Sequence, residues 1–177
     1  MSSDPAPDPA LDPAGEARAA DPCQACPPLR LLAQDLDDLR VISAALQDAV
    51  LTPADIRWEQ AARRLTVTLN RFRWEAGPEC ARVLAALQLG DVLSVKSRRL
   101  PRGREAPLEL LALEFEPAED PPGGFVTLMC AAGGDLRVEV ECVDAVLTDL
   151  SQPWRARQAP CHERGGAGDP DQTVPPA

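Results

Sequence analysis

The stretch Leu136-Arg-Val-Glu-Val-Glu-Cys-Val-Asp-Ala-Val-Leu147 decides the fold class, because apolar and charged residues alternate along its first half. Successive side chains of a β-strand point to opposite faces, so this period of two predicts a half-buried strand. After Cys142 the alternation changes phase. A bulge or a sheet corner near residues 142–144 is therefore expected.

The same period recurs along the chain and predicts a protein that is mostly β. Gly133-Gly134 separates two such segments and is typical of a hairpin turn, and residues 60–64 are expected to turn between two others. The segment 80–89 fits a helix or a strand. The remaining extended segments are predicted at 29–32, 56–58, 65–69, 92–99, 108–115, 125–131 and 136–147.

One segment has helical spacing instead. Its apolar residues recur every three or four positions and form one stripe, which predicts an amphipathic helix over about residues 36–50. Asp35 is placed to cap the helix, and Pro53 stops it. The stripe consists of Leu36, Leu39, Ile42, Leu46 and Val50.

The positions of the large apolar residues mark the limits of the folded domain. Of the 45 Leu, Ile, Val, Met, Phe and Trp residues, 42 lie between Leu29 and Trp154. We therefore expect an acidic, Pro/Ala-rich disordered tail over residues 1–28, one globular domain over 29–157 and a second disordered tail over 158–177. The predicted fold class is α+β, mainly β. It has one N-terminal amphipathic helix packed on a six- or seven-stranded antiparallel barrel or sandwich.

Charge and hydropathy exclude some partners. The net charge of −10 argues against binding of nucleic acid or an anionic membrane surface, because both need a positive field. No segment approaches the about 18–20 continuous apolar residues of a transmembrane helix. Neither end resembles a signal peptide, so a cytoplasmic location is expected.

A basic cluster is the first candidate site. An arginine's planar fork suits a phosphate-bearing ligand, an RNA backbone or an acidic peptide. The structural alternative is an edge strand whose charges prevent pairing with another sheet. The cluster consists of Lys96, Arg98, Arg99, Arg102 and Arg104.

The segment 70–75 is the second candidate, with Arg71 and Arg73 beside two aromatic residues, Phe72 and Trp74. An arginine and aromatic surface suits stacking on a base or on a partner chain. In the structural alternative the aromatic residues pack in a small core and the arginines meet carboxylates.

No catalytic set and no metal or cofactor site is predicted. Cys23 and Cys26 have the spacing of half a zinc site but lack the other half, and His162 is the sole histidine. The glutamates of the pairs Glu114/Glu116 and Glu139/Glu141 are two positions apart, which fits the solvent-exposed face of a strand. Three further cysteines, Cys80, Cys130 and Cys142, fit small core positions.

In order and spacing, five stretches resemble a bacterial family, domain of unknown function 2948, found mainly in alphaproteobacteria. They are residues 35–50, 69–75, 92–98, 110–117 and 136–150. The resemblance covers roughly residues 30–160. It implies a fold unit and a bacterial cytoplasmic setting, favours a strand over 80–89, and carries over no activity, cofactor or site residue.

The favoured functional hypothesis is a non-enzymatic binding or interaction module. A protein partner or an anionic ligand would contact its basic residues Arg71, Arg73, Lys96, Arg98 and Arg99. The alternative is a small hydrolase or isomerase of an anionic metabolite, which needs a pocket holding a carboxyl group of raised pKa. A third option is a homodimer that covers an apolar β face.

Overall fold

The computed structural model describes residues 27–76 and 81–155. The two predicted tails lie outside these residues except for Pro27 and Pro28, and so do Cys23, Cys26, Cys80, Cys161 and His162. The described part holds one α-helix, α1 (Leu36–Ala45), and eleven strands. The strands are β1 (Arg30–Ala33), β2 (Ala49–Leu51), β3 (Ile56–Glu59), β4 (Arg64–Phe72), β5 (Ala81–Leu89), β6 (Val92–Arg98), β7 (Leu108–Pro117), β8 (Gly124–Cys130), β9 (Asp135–Val140), β10 (Ala145–Asp149) and β11 (Trp154–Arg155).

The mostly β class with one early helix is confirmed. All strand pairs are antiparallel, in the order β1-β10-β5-β4-β2-β7-β8-β9-β6, with β3 also on β4 and β11 also on β5. The order has two ends, β1 and β6, so the sheet is not a closed barrel. The structure describes eleven strands where six or seven were predicted, and β2, β10 and β11 were not anticipated as separate elements.

The helix begins where its sequence predicts but ends earlier. The Asp35 carboxylate accepts a hydrogen bond from the backbone N–H of Asp38 at 2.9 Å, which confirms the cap. The helix ends at Ala45 rather than near residue 50. Asp48 has a positive φ of 60°, and its N–H donates to the Leu110 carbonyl at 2.9 Å. The chain therefore leaves the helical path, and Ala49–Leu51 becomes β2 instead of a last helical turn.

One hydrophobic cluster fills the space between α1 and the inward faces of the strands. Burial alternates residue by residue along β4, β5, β8 and β9, as the period of two predicts. The hairpins β3–β4 and β8–β9 are confirmed, and residues 81–89 are a strand rather than a helix. Cys130 is in the core, as expected. Cys142 is not, because it lies after the end of β9 and is only half-buried.

The phase change near residue 142 marks a sheet corner. Here the chain leaves β9, which pairs with β8 and β6, and enters β10, which pairs with β5 and β1. The turn from β5 to β6 is hydrogen-bonded to this corner, because the Gly90 N–H donates to the Asp144 carbonyl at 2.9 Å. A Cβ at Gly90 would lie 2.1 Å from the Asp144 Oδ2, so a larger residue at this position would require the Asp144 carboxylate to move. After this turn, β6 pairs with β9 and is a terminal strand of the sheet.

Candidate anion-binding face

The outer face of β6, β9 and β8 carries a row of polar side chains. Lys96 lies directly opposite Arg137, and Arg137 lies directly opposite Thr127. The neighbouring residues Val138 and Leu128 are buried in the core. Because side chains alternate along a strand, the three residues of the row point away from the core.

The row forms the floor of an open groove of about 270 Å³, which we call the basic groove. Three of its side chains are basic and one is acidic, so the lining has a formal charge of +2 on a chain whose net charge is −10. The groove is therefore a local positive site on an acidic protein. Its lining residues are Lys96, Ser97, Arg98, Thr127, Asp135 and Arg137.

Two of the three basic side chains in the basic groove donate hydrogen bonds to neighbouring carboxylates. The Arg98 Nε donates to the Asp135 carboxylate at 2.8 Å. Arg137 donates to Glu116 at 2.9 Å, and its guanidinium carbon lies 4.0 Å from the centre of the Phe125 ring. These contacts orient both guanidinium groups. The Lys96 ammonium group makes no hydrogen bond or ion pair within residues 27–76 and 81–155, so it is the cation of the groove that a ligand could pair with.

The register places two positive charges opposite each other, Lys96 and Arg137. Like charges at directly opposed positions of two strands are unfavourable. An anion between them would remove that repulsion, which makes this pair the strongest indication of an anion site. Sequence reasoning singled out Lys96 but missed Arg137. Its charge was visible, but its position beside Lys96 depends on the pairing register of strands about 40 residues apart in sequence.

Arg99 is next in sequence to the basic groove but does not line it. It has a positive φ of 53° just after the end of β6, and it lines a separate cavity of about 500 Å³ that is also open to solvent. Arg102 and Arg104 lie on the exposed loop before β7 and line neither cavity. The predicted cluster of five basic residues is thus divided between two cavities and a loop.

Arg71 and Arg73 are buried, with 0% and 1% of their surface exposed. The Arg71 Nε and Nη2 donate to the two oxygens of Asp149 at 2.7 and 2.9 Å. Its Nη2 and Nη1 donate to Glu75 at 2.7 and 3.1 Å. Four strands separate β4 from β6 in the sheet order, so Arg71 and Arg73 do not adjoin the basic groove.

The surroundings of this ion-pair cluster agree with the structural alternative proposed for residues 70–75. The Arg73 Nε lies 3.6 Å from the Glu75 carboxylate. The Phe72 and Trp74 rings pack at 4.6 Å, and the Trp74 indole N–H donates to the Gln47 carbonyl at 3.2 Å. The cluster therefore joins β4, β10 and the residues after β4.

The ion-pair cluster shifts the titration of its members. For Glu75, desolvation is the largest single effect and raises the pKa, but the hydrogen bonds from Arg71, a backbone hydrogen bond and the charges of Arg71 and Arg73 together outweigh it, so the net shift of the pKa is downward. For Arg71, desolvation lowers the pKa, while the hydrogen bonds to Asp149 and Glu75 raise it further, so the net shift is upward. Both groups are therefore held in their charged forms.

The lowered pKa of Glu75 predicts how the free energy of unfolding depends on pH. Because the folded-state pKa of Glu75 is below its unfolded value, its contribution to stability is complete above a pH of about 5. The contribution is lost as the pH falls below the unfolded pKa, near 4, and through the lower folded-state pKa. We expect Glu75→Gln to lower the stability at pH 7 by less than about 1 kcal/mol, since the side chain is 39% exposed. Urea unfolding at pH 7 and pH 3.5 should show the difference from the parent chain shrinking in acid. A constant difference would contradict the assignment.

No cluster of three or more His, Cys, Asp or Glu residues that could hold a metal ion occurs in the described ranges. The Cys130 thiol is buried, and burial raises its pKa. The structure contains no helix, within the residues it describes, of the length and apolar character needed to cross a bilayer.

Comparison with known proteins relates the chain to a family of unknown function. No curated protein and no solved structure matches the chain. The family model described as a protein of unknown function, DUF2948, matches residues 29–162, which is most of the chain and includes every described strand and the helix. The chain therefore belongs to the DUF2948 family.

Proposed function

We propose that this chain is a non-enzymatic interaction module that binds an extended acidic segment of a partner protein along β6. The observation that carries the proposal is the position of Lys96. It lies on a terminal strand of the sheet, opposite Arg137, without an acidic partner among the described residues. A bound carboxylate would provide the missing partner.

The backbone of β6 favours an extended ligand. β6 pairs with β9 on one side and with no described strand on the other. The N–H and C=O groups of such an edge can pair with an added strand, and the side chains beside it then determine which sequence is accepted. Lys96 and Arg98 are two residues apart, so their side chains point to the same outer face of the sheet. A strand added at the edge of β6 would lie beside both side chains.

The charges on β6 select among possible strands. A second copy of β6 would bring Lys96 and Arg98 beside the same basic side chains, which is unfavourable. An acidic strand would form opposite-charge pairs at the same positions. The edge can therefore reject self-association and still accept an acidic partner. Arg71 and Arg73 are buried, so we assign them no contact with this partner.

The test uses the full-length chain and a fluorescein-labelled octapeptide of alternating glutamate and valine. We expect saturable binding by fluorescence anisotropy that weakens with added salt, because charge pairs at an open groove are screened. A peptide of alternating lysine and valine should not bind. Lys96→Glu with Arg98→Glu should weaken binding at least about tenfold, since two attractive contacts become repulsive.

The control variant, Arg40→Glu with Arg57→Glu, makes the same change in net charge on α1 and β3, away from the basic groove. It should retain most of the affinity. Equal losses in both variants would show that binding follows net charge alone and would contradict the proposal. If inorganic phosphate displaces the peptide at an equal concentration, the groove is a small-anion site instead.

A further inference from the structure

A second cavity, separate from the basic groove, lies between the loop after β6, the start of β7 and the turn from β8 to β9. We call it the Arg99 cavity. Its volume of about 500 Å³ is within the about 300–1,000 Å³ range of small-molecule sites. The walls are formed mainly by Val50, Pro101, Pro107, Leu108 and two alanines, Ala131 and Ala132. The two charged residues of the lining are Arg99 and Glu109.

The backbone that carries Arg99 is held in an unfavourable conformation. Arg99 and Ala132, which both line the cavity, have positive φ values of 53° and 62°. Side-chain-bearing residues rarely adopt this conformation unless surrounding contacts enforce it. Here the turn from β8 to β9 packs against the residue: a Cβ at Gly134 would lie 3.2 Å from the Arg99 carbonyl oxygen. Glycine at 134 thus allows the two backbones to meet at the cavity wall.

The guanidinium group of Arg99 is directed by the same turn. A Cβ built at Gly133 would lie 3.7 Å from the Arg99 Nη1, so the charged end of the side chain lies over the turn. Residues of this turn, Ala131 and Ala132, line the cavity. Arg99 makes no hydrogen bond or ion pair within the described ranges, and no ion pair joins it to Glu109. A guanidinium offers five N–H donors in a planar fork that matches a carboxylate. The cavity therefore combines apolar walls with one available carboxylate-binding group.

The geometry points to a binding site in the Arg99 cavity for a small carboxylic acid with an aliphatic body. The carboxylate would pair with Arg99, and the hydrocarbon would cover the proline, leucine, valine and alanine side chains of the wall. Glu109 would disfavour a second negative charge on the ligand. The site does not depend on the proposed binding of a partner at β6, because it shares no lining residue with the basic groove.

The test uses octanoate as the probe, with ¹⁵N-labelled full-length protein. Titration should shift the amide signals of Arg99, Leu108, Ala131 and Ala132 in a saturable way. Octanol, which has the same chain length and no charge, should bind at least about tenfold more weakly, because it lacks the charge-assisted pair. Equal affinity for octanol, or shifts confined to other residues, would overturn the proposal.

Two variants separate the role of the guanidinium from a general effect of charge. Arg99→Gln should weaken octanoate binding at least about tenfold and leave octanol binding unchanged. Arg102→Gln removes the same charge from the same loop without lining the cavity, and it should bind octanoate as the parent does. Dispersed spectra of both variants establish that they fold. If Arg99→Gln binds octanoate normally, Arg99 is not the carboxylate-binding group.

Discussion

Replacing Asp149 by alanine is expected to lower the free energy of unfolding by about 3–5 kcal/mol, because it leaves the buried Arg71 charge without its main partner. The Arg71 guanidinium has no exposed surface, and the Asp149 side chain is only 2% exposed. Asp149 also accepts a hydrogen bond from the Leu29 N–H at 2.9 Å. The same change therefore loosens the attachment of β1 to β10. Urea unfolding at pH 7 measures the effect.

Two further variants give this prediction its control. Asp37→Ala removes a carboxylate that is 87% exposed and pairs with Arg40, and we expect a loss below about 1 kcal/mol. The double variant Arg71→Met with Asp149→Leu removes both buried charges. It should be more stable than Asp149→Ala, because the buried Arg71 charge is removed together with its partner, and the Glu75 carboxylate that loses Arg71 is partly exposed. Equal stability of Asp149→Ala and Asp37→Ala would show that Arg71 is solvated in solution.

Replacing Leu110 by alanine is expected to cost about 2–5 kcal/mol, because the side chain is completely buried. Leu110 lies where β7 pairs with both β2 and β8, opposite Ala49 and Cys130. Its carbonyl also accepts the Asp48 N–H that ends the helical path. A cavity at this point removes contacts from several elements at once. The measurement is again equilibrium unfolding in urea.

The neighbouring residue in the same strand is the matched control. Leu111 is 44% exposed, so Leu111→Ala removes the same atoms from a largely solvated position. We expect a loss below about 1 kcal/mol. Similar losses for Leu110→Ala and Leu111→Ala would contradict the assignment of inward and outward faces along β7.

Local patterns predicted much of this fold. The alternation of Leu65, Val67 and Leu69 with threonine indicated β4, and the Gly133-Gly134 pair indicated the hairpin after β8. Both follow from interactions between residues close in sequence. Asp35 indicated the helix start for the same reason, since a cap depends on residues only three positions apart.

The errors and omissions come from interactions between distant residues. Residues 49–51 continue a helical stripe, but β2 exists because β7 and β4 pair with it. Arg71 meets Asp149, 78 positions away, so its burial could not be read from the alternation around it. Arg137 joins Lys96 only through the register of β9 on β6. The candidate site was therefore only partly visible in the sequence.

The direction of a side chain at a strand end was also not predictable. An extended chain through residue 99 would have placed Arg99 on the face opposite Lys96 and Arg98. The positive φ at Arg99 instead carries this side chain to the Arg99 cavity. The Arg99 carbonyl oxygen packs against Gly134, in the turn between β8 and β9, where a Cβ would lie 3.2 Å away. This contact joins residues far apart in sequence, so the separation of Arg99 from Lys96 and Arg98 could not be read from the local pattern.

Hydrogen–deuterium exchange of the full-length protein, saturated with the glutamate–valine octapeptide, tests the central claim most directly. If an acidic strand adds to the edge of the sheet, amides of residues 93–98 in β6 will exchange more slowly in the complex. Amides of β3 and β1, which lie elsewhere in the sheet, will exchange as in the free protein. Unchanged exchange in β6 at saturation would contradict strand addition and would leave the edge as a charged barrier to association.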